Sequence, residues 1–472
     1  MSNEISESGN KIGHTDIGMN RRQLLKTVGG ASLIISSAGC SSSSGGSDSG
    51  GSDSGGSDSG GSDNEVHFLT DESFRDFFTT VKEDFESETD YTVRMEYAGV
   101  GGSAEDRLAQ LTQSSDPPEV FLTGSSQAAR FLNQDAIAPV SDAFSSITER
   151  FGEPMRTARL QADNDDYIAP LWGNIGISWY RTSFFDNPPD TWESLISSAE
   201  KIDESSELTG SFVPAGTDIC TDLCLLGWAY SNDARVCARE NGEVSVIMTN
   251  GDNRQRWVET LQYLQNLHEY SSTNSDAGCS QMSQALASES SAQAWYVGSR
   301  PKYQSISQNK EFADKISATT QPTPEAEQDP MTIALAEGLV TFANSNTTAA
   351  NEYIDFLFQP KYLNKIYFLT PLQNVPIFPG ISETEGYQNR INEIVSETEI
   401  TQEDVETTKT ASENIITLAS ETNPPNPYSG AILGSRKLSE LMYDVTVGDS
   451  SPEEALETRA SEIQDAVNEA RN

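Results

Sequence analysis

From residue 65 onward the sequence predicts an α/β fold built on a parallel sheet. Two observations carry that expectation: apolar runs of strand length alternate with stretches whose apolar residues return at helical spacing, and the alternation repeats along the first third of the chain. Val66 to Leu69 is the first run, after which Phe74, Phe77, Phe78, Val81 and Phe85 fall on one helical face. Val93, Met95 and Tyr97 alternate as a half-buried strand, and Leu108 and Leu111 mark a second helix. Val120-Phe121-Leu122 is a third strand, followed by a helix carrying Phe131 and Leu132. In a sheet of this kind ligands sit beyond the carboxyl ends of the strands, which places Thr70-Asp71, residues 98–102 and Thr123-Gly124-Ser125 at the expected site.

The segment before that body has another purpose. Asn20-Arg21-Arg22-Gln23-Leu24-Leu25-Lys26 leads into a short apolar stretch that ends at Ser37-Ala38-Gly39-Cys40. A charged start, an apolar middle short for a bilayer and small residues before a cut make an export signal over residues 1–39. The paired arginines resemble a twin-arginine signal, and the last four residues resemble a lipobox whose Cys40 becomes the acylated N-terminus, a lipid anchor. Residues 41–63 repeat Gly, Ser and Asp and bury nothing, so 40–64 is expected to be a flexible tether spanning roughly 25–29 Å.

The chain holds 72 acids against 30 bases. Residues 1–39 carry three of the acids and four of the bases, leaving 69 against 26 in the exported part. Such a surface repels nucleic acid and anionic lipid, and it suits a protein kept soluble in concentrated salt, so a halophile is expected. Cys220, Cys224, Cys237 and Cys279 allow three pairings, and outside the cell they form two disulfides or stay as buried thiols. A zinc site is not expected, because the Cys220 to Cys224 spacing is unusual for zinc and only His67 and His268 remain in the exported part. Gly99-Val100-Gly101-Gly102-Ser103-Ala104 matches a loose dinucleotide fingerprint, yet it follows the second strand of the unit and is read as a tight turn. Neither Gly-x-Ser-x-Gly nor His-Glu-x-x-His occurs, which speaks against a hydrolase.

The middle of the chain is aromatic-rich from Tyr167 to Arg181, and Asn187-Pro188-Pro189-Asp190-Thr191-Trp192-Glu193 follows. These residues resemble a signature of extracellular solute-binding proteins of ATP-binding-cassette importers, the superfamily that includes maltose-binding protein, and in particular its family 1 sugar branch. Other pieces fall in the same order: Pro117-Pro118-Glu119-Val120, residues 243–267, Ala292 to Ser299, Ala336-Glu337-Gly338, residues 349–358, Leu372 to Pro376, and Ser451-Pro452-Glu453-Glu454. The last makes local sense as a helix start, with Ser451 as cap and Pro452 in the first turn.

The resemblance implies a two-lobed periplasmic-binding-protein-like fold (type II), each lobe a sheet flanked by helices, joined by a hinge. The expected division is 65–172 with about 328–376 for one lobe, and about 173–327 with about 377–472 for the other. It further implies a monomer that needs no cofactor or metal, closes on a small solute, most simply a carbohydrate, and delivers it to permease subunits. Candidate ligand contacts are Asp71, Thr123, Trp172, Asn174, Trp228, Tyr230, Arg300, Glu337 and Tyr428. Aromatic faces cover a sugar ring while polar neighbours take its hydroxyls. For each aromatic, core packing is the alternative; for Trp179 and Trp192 it is preferred. Asp71 has helix capping as its alternative. Arg300 stands where sugar-binding relatives often carry Trp, and either receives an acidic sugar or is solvated. Pro170-Leu171-Trp172-Gly173-Asn174-Ile175 also resembles the polyamine-binding branch, the rival within the superfamily. An anchored glycosidase or a surface-layer component is a more distant reading.

Overall fold

The computed structural model describes residues 64–471 apart from 100–103, 105, 106, 109, 112–116, 272–274 and 344. The export signal, Cys40 with its tether, and most of the glycine turn at 99–104 lie outside the described residues.

Strands are β1 (Glu65–Asp71), β2 (Thr92–Ala98), β3 (Val120–Gly124), β4 (Ala169–Arg181), β5 (Gln293–Val297), β6 (Ile316–Thr319) and β7 (Thr332–Phe342); shorter ones go by their residues. β1 pairs in parallel with β2 and with β3, as the sequence predicts. The helix after β1, Arg75–Glu88, buries Phe77, Phe78, Val81 and Phe85, and Phe78 meets Phe68 of β1 edge-on at 4.8 Å. The sheet as a whole is mixed and not purely parallel. Its order is β5-β4-β7-β3-β1-β2, and β7, β4 and β5 each run antiparallel to the neighbour before them. The β2-β1-β3 half is parallel because helices cross between its strands, whereas β4 and β7 are long strands that carry the chain from one half to the other.

Both crossing strands are shared. The first part of β4 pairs with β7, and its last residues pair with β5 and β6. Along β7, residues 337–341 pair with β3. Trp179 lies on the second half of β4 with no exposure, and Trp192, stacked on Tyr263 at 4.2 Å, starts the helix Trp192–Ser205, so both are core residues as preferred. The closing helix Pro452–Arg471 starts as expected, with the Glu454 N–H donating to Ser451 Oγ at 3.3 Å.

One boundary differs from expectation. Residues 377–397 pack on the parallel half: Phe378 meets Phe144 at 6.0 Å, and Tyr387 of the helix Glu385–Glu397 meets Tyr367 and Phe368 at 6.1 and 5.0 Å. The chain commits to the other half only with the helix Gln402–Glu413, which packs on β6. Aromatic packing, not the strand order, decides this.

Of the four candidate cysteines, Cys220 and Cys279 are bonded, while Cys224 and Cys237 are buried free thiols, so one disulfide forms where two were open. The pair closes a loop 59 residues long, worth roughly 4 kcal/mol by chain entropy alone.

A buried ionisable cluster holds the antiparallel half. Lys302 donates to the Ile316 carbonyl at 2.7 Å and is paired with Asp404; Asp404 Oδ1 accepts from Ala318 N at 3.0 Å and Oδ2 from Thr401 N at 2.8 Å. Both are almost wholly buried, and burial pulls the Lys302 ammonium down while Asp404 holds it up. Asp404→Leu strands a buried ammonium and orphans Ala318 N–H. It should lower the unfolding free energy by about 3–5 kcal/mol, and more than Lys302→Met does, in urea titrations at fixed high salt; a loss under about 1 kcal/mol would refute the role given to the pair.

Elsewhere two separate carboxyls, Glu421 and Asp222, titrate. Burial pushes the Glu421 carboxyl up to about 7 against the N–H groups of Val236 and Cys237, each donating at 2.9 Å. Burial likewise pushes Asp222 up to about 6, opposed chiefly by Arg436. A carboxyl whose folded pKa exceeds its unfolded value near 4 holds its proton longer in the native state, so its contribution is full at low pH and lost as pH rises through the folded pKa. His268, lowered by burial, acts in the opposite sense below about 6.5. Urea unfolding from pH 4.5 to 7 should therefore show Glu421→Gln gaining stability relative to the parent as pH rises; parallel curves would contradict the shift.

Candidate functional site

Where β4 and β7 cross, the register slips between Glu337 and Gly338, so that Glu337 faces Trp172 and Gly338 faces Pro170. Only glycine fits there: a Cβ on Gly338 would stand 2.4 Å from the Ala169 carbonyl oxygen. This crossing is the floor of the candidate site. Glu337 also pairs with Gly124, and Gly338 with Thr123, at the carboxyl end of β3. Asp71 ends the adjacent β1. The structure thus brings Asp71 and Thr123, at the strand ends the topology argument names, to the same end of the parallel half as Trp172 and Glu337, which the resemblance supplied.

Their individual states differ. Asp71 Oδ1 accepts from Ser73 N at 2.7 Å, so it caps the turn that follows while keeping a second oxygen. Thr123 is 5 % exposed, and its Oγ1 has no hydrogen-bond partner among the described residues. Trp172 is buried, its ring 5.3 Å from Phe74. Asn174 is engaged: Nδ2 donates to the Gln373 carbonyl at 2.8 Å and to Asn374 Oδ1 at 3.1 Å.

Gln373 is the residue that sequence reasoning missed. Its Nε2 donates to the Val297 carbonyl at 2.9 Å and its Oε1 accepts from Ser299 N at 3.2 Å, which ties the crossing to the turn after β5. That turn needs Gly298, at φ +106°, where a Cβ would strike Gln373. Arg300 follows, half-buried at the start of the helix Arg300–Ser307. A glutamine after Leu372 carries no pattern that marks it in advance.

The helix Ser429–Ser435 lies against this end of the sheet. Ser429 Oγ donates to the Ser126 carbonyl at 3.2 Å, so this helix meets the first turn of the helix Ser125–Asn133 that follows β3. Tyr428 precedes it, its ring 5.6 Å from the Arg471 guanidinium. Trp228 and Tyr230 do not reach the site. They lie in the helix Ile219–Ser231, which is buried on every side; Trp228 packs on Tyr263 at 5.2 Å and Tyr230 is fully buried with the Arg235 guanidinium 5.5 Å from its ring. Both have core packing in place of the ligand contact expected of them, because a helix buried all round has no face for a solute.

Asp218, Cys220 and Cys279 lie close enough to share an ion, but the two sulfurs are bonded to each other and Asp218 caps instead, accepting from Thr221 N at 3.0 Å and Cys279 N at 2.8 Å. His67 is buried against Glu96 at 2.9 Å. A cavity of about 360 Å³ between residues 156–161 and 420–425 contains none of the candidate residues.

A mixed sheet flanked by helices, with two crossing strands shared between its halves, is the architecture of a two-lobed binding-protein fold. Residues 80–392 match the family described as bacterial extracellular solute-binding protein, and the chain belongs to that family. The model matched is that of SBP_bac_8 and not the family 1 branch expected. Solved structures agree in fold. The GacH receptor of Streptomyces glaucescens, studied unliganded and with acarbose, superposes with a TM-score of 0.66 at 17 % identity over 86 % of this chain and 98 % of its own. The sugar-binding protein MalE from Xanthomonas citri gives 0.69 at 13 % identity, over 86 % and 98 %. The maltose/maltodextrin-binding domain MalE from Bdellovibrio bacteriovorus, bound to maltotriose, gives 0.63 at 15 % identity, over 86 % and 100 %. Among the described residues no helix is long and apolar enough to cross a membrane.

A Cβ at Gly430 would lie 2.9 Å from Gln127 Oε1, at the contact between the two halves. Gly430→Trp should wedge them apart. Solution scattering of residues 64–472 would then show a larger radius of gyration than the parent, whose compact body is expected near ~22 Å; an unchanged value would show that this contact does not govern how the lobes meet.

Proposed function

We propose that this chain captures a carbohydrate between its lobes and passes it, chemically unchanged, to the permease of an ATP-binding-cassette importer. The observation that carries the reading is Thr123. A buried hydroxyl without a partner costs free energy, and this one lies beside Glu337 and Asp71 where the strands end, so a solute hydroxyl would satisfy it. Asp71, Thr123, Glu337, Arg300 and Tyr428 are the groups we assign to the ligand, with Asn174 and Gln373 setting the floor and Trp172 backing it through Phe74. Closure would bury both faces of the solute, and differential affinity for the closed form is enough to shift the population. The neighbours with acarbose or maltotriose support a sugar.

The N-terminal sequence supports export by a twin-arginine route, acylation of Cys40 and a membrane-held extracellular life, and the acid excess supports a salt-rich habitat. The polyamine reading is disfavoured by charge, since Arg300 brings an unneutralised cation to the wall where a polyamine would have to sit.

A thermal-shift screen in high salt over mono-, di- and oligosaccharides, uronic acids and polyamines tests the proposal. A ligand that binds only the native state raises the melting temperature by mass action, by the equivalent of about 2.7 kcal/mol at a hundred times its Kd. A rise with a sugar is expected; silence across sugars with a rise for polyamines would overturn the reading.

A further inference from the structure

The arginines of this acid-rich chain are mostly spoken for. Arg159 holds Asp166 and Glu153, Arg436 holds Asp222, Arg254 holds Glu457, and Arg459 holds Asp444 and Glu462. Arg300 is half-buried and makes no hydrogen bond or ion pair among the described residues.

Its surroundings disfavour an unpaired cation. Arg300 is the first residue of a helix, where the backbone dipole presents its positive end and a cation is disfavoured. Tyr296, buried on the preceding strand, and Tyr303, one turn along the helix, both sense its charge. The other cation of that helix, Lys302, is committed to Asp404 and the Ile316 carbonyl, so Asp404 is not free to neutralise Arg300. Asp218, the acid whose charge also reaches Tyr296, has both oxygens occupied by the N–H groups of Thr221 and Cys279. A guanidinium and a positive helix end therefore converge with no carboxylate paired to them among the described residues, on a turn that Gln373 ties to the strand crossing.

We propose that the solute is an anionic sugar, and that Arg300 receives its carboxylate as in a uronic acid. A planar guanidinium matches a carboxylate in paired hydrogen bonds, and a half-buried pair is less screened by salt than one on the surface. This rests on the reading of the cleft as a carbohydrate site and adds the charge class of the sugar.

The test titrates the full chain at one fixed high salt concentration with D-glucuronate, digalacturonate, glucose, maltose and acetate, reading melting temperature and Kd. Uronates are expected to bind at least about tenfold more tightly than neutral sugars, with acetate silent. Arg300→Gln, whose melting temperature without ligand should be no lower than the parent's because Arg300 makes no hydrogen bond or ion pair among the described residues and stands at a positive helix end, is expected to lose about tenfold to a hundredfold in uronate affinity, and Arg300→Lys to recover part of it. Neutral sugars binding as tightly as uronates, or an unaltered uronate Kd in Arg300→Gln, would overturn the inference and leave the carbohydrate reading standing. Acetate binding as well as uronate would also overturn it, by showing an anion site with no call for a sugar. Silence from every saccharide overturns both. Should Arg300→Gln fail to fold, the uronate-to-glucose ratio on the parent decides alone.

Discussion

Everything in this molecule hangs on how closely β4 and β7 approach each other. They are the only long strands among those described, each serves both halves of the sheet, and their contact at residues 169–170 and 337–338 is closer than any side chain at Gly338 would allow. The slip in register at that point turns Glu337 toward Gly124 and Trp172 while the strands go on pairing beyond it. A flat, in-register pair would join the halves more stiffly and offer no floor of mixed polarity. Gln373 completes the joint by bonding to the turn after β5 from a third passage of the chain.

How far this was legible beforehand depended on the period of the residues involved. β1, β2 and β3 and the helix Arg75–Glu88 are amphipathic or bounded by polar residues, so their pattern shows in sequence and the site at their carboxyl ends follows from topology. The helix Ile219–Ser231 is buried on all sides, has no polar face to give it a period, and so hid both itself and the packing role of Trp228 and Tyr230. The return of residues 377–397 to the parallel half is decided by aromatic contacts across the fold, which local pattern does not contain. Cysteine pairing has the same limit: four thiols allow three arrangements, and only the folded chain sets Cys220 beside Cys279. Gln373 was missed because a ligand-side brace needs no special residue type.

Charge ties the fold to its use. The acid excess is spread over the surface, whereas the buried carboxylates are each held by specific partners: Asp404 by Lys302, Asp222 by Arg436, Glu421 by two backbone N–H groups. Against that background Thr123 Oγ1 and the Arg300 guanidinium, neither with a hydrogen-bond partner among the described residues, are the groups we assign to the solute. Groups left without partners in the free protein and satisfied in the complex are what gives a binding protein differential affinity for its closed form.

The most direct measurement is the distance between the lobes with and without solute. Spin labels on exposed Glu149, in the helix Ser141–Phe151, and exposed Glu204, in the helix Trp192–Ser205, report on the two lobes. The account predicts two discrete distance populations whose ratio moves with solute concentration and saturates with binding. A single distribution, unmoved at saturating solute, would contradict it.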